Sequence, residues 1–364
     1  MSVSSIEIPQ SPGRSGSIRD LRRTGIHPDH WYPLLRAKKL KAGMAMGVAF
    51  AGEPIVLIRT ESGKAFALED RCAHRQVPLS AGVVTGEEIK CCYHGWTYDC
   101  AGRCVNIPYI GKSESAPRGV RVFPCREEYG FIWVFPGDAA RAAGAFFPDV
   151  PSWRDPSYKT RYLDHEVGCH YTFLHENLMD MNHQFLHRRL MAQIKTGFLD
   201  LREGENWVEV DYTFSRVGKQ PVGEKFMLGA RPQASAERPR DLMTVRTEYP
   251  HQILKFWTAG SEHPALDLWI TYVPVDAEQR RNHTFALMNI RKPGIPGIME
   301  VLWPFIVWFT NGIFAEDKWV VEMEQAAFDR QGADWNQEIF PVVQRTRELL
   351  RRKGITMSSH PLTS

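Results

Sequence analysis

The sequence predicts an α+β chain, with an all-β domain towards the N-terminus and a mixed α/β domain after it. Three observations carry that prediction. A length of 364 residues is about two domains' worth of chain. From Trp31 to Phe135 the chain reads as short β-rich runs between turn residues, and six of its seven cysteines (Cys72, Cys91, Cys92, Cys100, Cys104 and Cys125) fall there, leaving only Cys169 outside. The remainder alternates longer strand-like runs with helical ones. Composition sets the outer bounds. With 43% apolar and 24% charged residues the chain is neither disordered, collagenous nor coiled-coil. A formal charge of +3 is too near balance to indicate nucleic acid as a partner.

The first strands are read at Pro54–Arg59, Ala65–Leu68 and Gly130–Phe135, with Glu61-Ser62-Gly63-Lys64 as a hairpin turn. A composition shift after Gly137, followed by Pro148 and Pro151, sets a boundary, giving an arm over residues 1–30 and domains over 31–138 and 139–364. Later strands are read at Trp207–Tyr212, Gln252–Trp257 and Asp267–Val273, and helices from Phe173 to about Arg189 and from Ala315 to about Asp329. Gln220–Arg240, rich in Pro, reads as a mobile loop. Val301–Phe309 is nine apolar residues long, short of the roughly 20 that a bilayer-spanning helix needs. It reads as a core or pocket segment, with a hydrophobic surface as the lesser reading. No transmembrane segment and no secretory signal are expected.

Cys72-Ala73-His74 is followed, after sixteen intervening residues, by Cys91-Cys92-Tyr93-His94. Two thiolates and two imidazoles from two loops suit a tetrahedral zinc site or a 2Fe–2S cluster with both Cys on one iron and both His on the other. An odd cysteine count is a poor disulfide framework. Cys92, Cys100, Cys104 and Cys125 read as buried free thiols.

A second constellation lies at Asn177, Asp180, His183 and His187. At about 100° per residue in a helix, His183 and His187 stand roughly 40° apart and Asp180 about 60° from His183. Polar, metal-competent residues then share one face, which favours iron or zinc ligation over a buried structural histidine. His175 falls on the opposite face.

The alternation C-x-H then C-x2-H-G-W, over Asp70 to Cys104, resembles the Rieske iron–sulfur motif. Val77 and Tyr93 stand where respiratory Rieske proteins have an extra Cys pair, so the resemblance is to the disulfide-free type. With the D-x2-H-x3-H stretch, the chain from about Trp31 to Gln325 resembles the catalytic subunits of Rieske non-haem iron oxygenases. The Ala315-Glu316-Asp317 segment is similar to the dicamba and vanillate demethylase branch, and the three-residue spacing between the histidines to the carbazole branch.

The resemblance implies a START-like helix-grip catalytic domain and a cluster on Cys72, His74, Cys91 and His94. It implies mononuclear Fe(II) on His183, His187 and Asp317, with Glu316 and Glu322 as fallbacks, and Asn177 beside the O2 position. Asp180 is implied to bridge to His94 of a neighbouring chain in a homotrimer. A cytoplasmic enzyme is implied, taking electrons from a ferredoxin or flavin reductase that uses NAD(P)H. It would activate O2 to hydroxylate an aromatic or other small hydrophobic cyclic substrate, or alternatively demethylate oxygen or nitrogen. An electron carrier using the Rieske half alone and a zinc hydrolase are the competing readings. Between Arg14 and Lys41 there are eight Lys or Arg against Asp20 and Asp29. They read as a solvated arm, or as a dock for an acidic ferredoxin.

Overall fold

The computed structural model describes residues 20–110, 119–191, 194–216 and 241–357. Its C-terminal part is built on a seven-stranded antiparallel sheet. In spatial order the strands are Tyr158–Val167, Asn282–Arg291, Leu266–Pro274, His251–Trp257, Asp241–Glu248, Trp207–Arg216 and Ile194–Glu203. Leu266–Pro274 is buried at every position, as a strand covered on both faces must be. Helices cover one of those faces: Gln252 Nε2 donates to the carbonyl of His175 on helix α2 (Tyr171–Met179), which follows the one-turn helix α1 (Pro151–Arg154). After the short α3 (Arg188–Met191), the 34-residue α4 (Ile298–Gln331) and α5 (Pro341–Lys353) complete this layer. Aromatic residues of the N-terminal part cover the other face, with Trp133 5.3 Å from Trp269 and Phe131 5.5 Å from Phe285.

The N-terminal part folds as three small antiparallel sheets. The strand Glu53–Arg59 shows how it is divided. Ile55 and Leu57 join the core shared with the large sheet, whereas Val56 and Ile58 join a second core around Cys72, Cys91, Tyr98 and Cys104. This is the period-2 alternation of a strand with two buried faces. Backbone bonds lock the parts together: Ala51 N–H donates to Pro274 O at 2.7 Å and Gly52 N–H to Val275 O at 2.9 Å. Gly52 has φ +85°, and a Cβ there would lie 2.8–2.9 Å from Ala277, so only glycine makes this approach without displacement. The α+β architecture, a β-rich N-terminal part followed by a mixed helix-and-strand part, is the one expected.

Four details differ from the sequence reading. The helix from Phe173 does not continue to Arg189 but stops at Met179. Asp180, at φ −91° and ψ 91°, turns its side chain onto the Asn182 N–H at 2.9 Å and starts a 3-10 turn, Met181–Phe185. An Asp that caps a new turn in this way competes with the helix it would otherwise extend. The last long helix begins at Ile298, not near Ala315, so Val301–Phe309 is helical. Within it Ile306 and Phe309 are buried, but Val301 is 78% and Trp308 61% exposed, so the stretch is not simply core. The basic N-terminal stretch is partly structural: Thr24–Gly25 pairs with Ile355–Thr356, Arg22 is buried against Glu176 at 2.7 Å, and Lys39 pairs with Asp164 at 2.5 Å. Finally, Cys104 is buried and Cys125 half-buried, but Cys92 and Cys100 are exposed, since they lie on turns outside both cores. All seven cysteines are free. The expected loop at 220–240 and the start of the arm lie outside the described residues.

Candidate functional site

Cys72–Val77 and Cys91–Trp96 fold as two copies of one loop. In each, the cysteine N–H donates five residues ahead (to Val77 O and Trp96 O, both 2.8 Å). In each, the cysteine carbonyl accepts from the residue four ahead (Gln76 N at 2.9 Å, Gly95 N at 3.1 Å). That fourth residue has positive φ in both, +61° at Gln76 and +70° at Gly95. The paired loops sink Cys72 and Cys91 to 2% and 3% exposure and leave His74 and His94 at the surface, their rings 4.5 Å apart. Trp96 stacks flat on His74 at 4.7 Å. Burial pushes the Cys91 thiol above its ordinary value, and the Cys72 thiol beside it adds to the rise. Tyr98 Oη lies 3.2 Å from Cys72 Sγ and accepts from Ala73 N at 3.1 Å. Buried sulfur donors facing each other under two rim imidazoles suit a cluster with one iron on sulfur and one on nitrogen.

Among the described residues, one group of three or more His, Cys, Asp or Glu side chains could hold a single metal ion: His183, His187 and Asp317, with donor atoms within 4.8 Å of one another. Asp317 Oδ1 is 3.3 Å from His187 Nε2 and 3.9 Å from His183 Nε2. Donors about 2.1 Å from a common ion stand roughly 3–4 Å apart, so the residues fit. The protein fixes both tautomers. His183 Nδ1 is 2.6 Å from the Asp180 carbonyl, which only accepts, and His187 Nδ1 is 2.8 Å from Glu316 Oε2. Each Nδ1 therefore carries a hydrogen, and each Nε2 faces Asp317, where it would offer its lone pair to a bound ion. Burial pushes the Asp317 carboxyl up, but the bond from His187 and the charge of His183 outweigh it and leave it below its ordinary value. For His187, burial lowers and the bonds to Asp317 and Glu316 raise, with a net rise. Asn177 Nδ2 donates to Asp317 Oδ1 at 3.1 Å. Two histidines and one carboxylate with open positions are the donor set of non-haem iron oxygenases.

The other expected residues are placed differently. Asp180 stands half-buried at the surface above this group, its Oδ1 accepting from both nitrogens of Asn182. Glu322 accepts from Gly168 N at 2.8 Å, away from the three donors. His175 is fully buried against Tyr272, and burial lowers it to about 3. Sequence reasoning missed the orienting role of Glu316 on His187, whose only signal was its adjacency to Asp317. It also missed the Arg22–Glu176 pair one residue before Asn177, which carries no sequence signal.

Comparison with known proteins covers both parts of the chain. Residues 30–124 match the Rieske [2Fe-2S] domain and residues 167–347 the vanillate O-demethylase oxygenase C-terminal domain. The 4β-methylsterol monooxygenase of Methylococcus capsulatus is 31% identical over 97% of this chain and 94% of its own length. The chain belongs to the Rieske non-haem iron oxygenases. The oxygenase component of dicamba O-demethylase from Stenotrophomonas maltophilia is 30% identical over 80% of this oxygenase and 86% of its own length. The crystal structure of dicamba monooxygenase bound to dicamba superposes with a TM-score of 0.73 at 25% identity, covering 90% of this chain and 97% of that one. A match through the C-terminal domain and over the full length removes the carrier and zinc-hydrolase readings. As a member of this family the oxygenase works with a Rieske 2Fe–2S cluster, a mononuclear iron and an electron-transfer partner.

Proposed function

We propose that Cys72, Cys91, His74 and His94 hold the cluster, that His183, His187 and Asp317 hold the iron, and that the enzyme hydroxylates a C–H bond of a small hydrophobic cyclic substrate. The observation that carries this reading is the convergence of two Nε2 atoms and one carboxylate, each residue held by an acceptor or donor of the same chain. Once bound, the two groups supply single-electron storage and O2 activation. The chain supplies orientation: the Asp180 carbonyl and Glu316 keep the imidazoles facing Asp317, while Asn177 holds the carboxylate oxygen that is nearest to both. In a homotrimer, Asp180 of one protomer accepts a hydrogen bond from His94 of its neighbour and holds that imidazole by the same device. The half-buried position of Asp180 and the exposed position of His94 leave both open to such a contact.

The reading places the enzyme in the cytoplasm, where a ferredoxin or flavin reductase draws on NAD(P)H. Five thiols free of both cluster and disulfide suit that compartment. Similarity to a methylsterol monooxygenase and to a dicamba O-demethylase supports insertion of one oxygen atom over dihydroxylation of a ring. O- or N-demethylation is the second reading, favoured by the match of residues 167–347. In it, a hydroxylated methyl group collapses to formaldehyde.

The test is anaerobic reconstitution followed by iron counting and turnover of a panel of phenolic ethers, N-methyl heterocycles and polycyclic alcohols under 18O2 with a surrogate reductase. About three iron atoms per chain and one labelled oxygen per alcohol are expected. Formaldehyde in step with substrate loss selects the demethylase. About two iron atoms per chain, with no turnover, overturns the reading.

A further inference from the structure

The N-terminal half of α4 presents an apolar face that no described residue covers. Val301, Pro304 and Trp308, spaced i, i+3 and i+7, point outwards, and Ile295, in the loop that enters the helix, is 64% exposed. Of the helix's most apolar 18-residue window, 22% is buried, unlike a core helix. Yet this helix does not leave the domain to cross a membrane. Met299, Ile306 and Phe309 are buried on its inner side, Arg161 donates to Val307 O at 3.1 Å, and Asp317 at its middle meets His187.

Cations border the apolar face. Lys159 lies 4.6 Å over the Trp303 ring, exposed Lys292 precedes the helix, and exposed Arg188 and Arg189 lie on α3, which meets α4 where Leu190 approaches Gly312. Glu300 stands among them and is tied to Lys159 at 3.2 Å. An in-plane helix with aromatic and aliphatic side chains outwards and Lys and Arg at its rim is built for the headgroup boundary of an anionic bilayer. We propose that this face docks the enzyme on the surface of a membrane rich in anionic lipid. The inference is independent of the metal assignment, because docking is read without turnover.

The test is flotation of the holoenzyme with phosphatidylcholine vesicles, with and without one quarter phosphatidylglycerol. The wild-type protein is expected to float with the anionic vesicles and to detach in part at high salt. The Val301→Glu/Trp308→Glu variant, at unchanged iron content, is expected to bind about tenfold less. If that variant loses iron, Ile295→Glu, outside the helix, takes its place. Wild-type protein that stays unbound with both vesicles overturns the proposal, as does a variant that binds as well as wild type. An unbound wild type whose oligomer falls apart on the same substitutions makes this face a contact between copies and overturns it equally.

Discussion

Replacing Glu316 by Ala tests how far a residue outside the donor set controls the iron. The His187 side chain is 4% exposed and Glu316 Oε2 is its Nδ1 acceptor at 2.8 Å. Truncation leaves a buried N–H without that partner, at a cost of about 1–3 kcal/mol, and releases the tautomer that points Nε2 at Asp317. Because 1.4 kcal/mol is tenfold, iron affinity should fall about 5- to 150-fold, a range that spans the roughly 10- to 100-fold loss usual for outer partners of metal-bound histidines. Glu316→Gln keeps an acceptor oxygen and should lose less. The assay is anaerobic competition for Fe(II) against a chelator, with cluster absorbance as the measure of protein. Glu322→Gln serves as the control. A Glu316→Ala protein that binds iron within about twofold of wild type would refute the reasoning.

Three further outcomes are expected. Asp180→Asn should load both metal centres and lose about a hundredfold or more in turnover with a reductase, and a wild-type rate would sink the bridge. Tyr98→Phe removes the hydroxyl 3.2 Å from Cys72 Sγ and should lower the cluster's reduction potential in an EPR-monitored titration; an unchanged potential contradicts the hydrogen bond. Burial raises the Glu324 carboxyl from 4.5 to about 7, with Arg22 opposing and Glu176 adding. The folded state therefore binds this proton more tightly than the unfolded one, so the group's contribution is full below pH 4.5 and is lost as pH rises through 7, by about 3 kcal/mol. Urea midpoints should show Glu324→Gln gaining on wild type between pH 5 and pH 8, and a difference independent of pH would refute this.

The two cysteine–histidine loops were legible because each closes its own hydrogen bonds within six residues, so local spacing carries the geometry. His183 and His187 were legible as a pair for a related reason, yet by the wrong route. The even helix that placed them on one face is interrupted at Asp180, whose cap on Asn182 overrides the periodicity, and the 3-10 turn still brings their rings to 5.3 Å. The partnership of His187 with Glu316 joins residues 129 apart and has no local signature. Arg22 was hidden by its surroundings: Ser- and Arg-rich sequence reads as solvated, and nothing nearby in the chain shows that Glu176 and Phe173 receive its guanidinium. Pro304 and the apolar run around it obscured the start of α4, since a proline inside a helical pattern reads as its end.

The joint at Ala51 and Gly52 has a kinetic consequence. Two backbone hydrogen bonds and one continuous core tie the cluster-bearing part to the large sheet, so the cluster is no tethered head that swings between donor and acceptor. Its distance to the iron of the same chain is set when the chain folds. In the proposed homotrimer, gating of electron flow would then fall to the contacts between chains, and agents that change subunit association should alter turnover before they alter either metal centre.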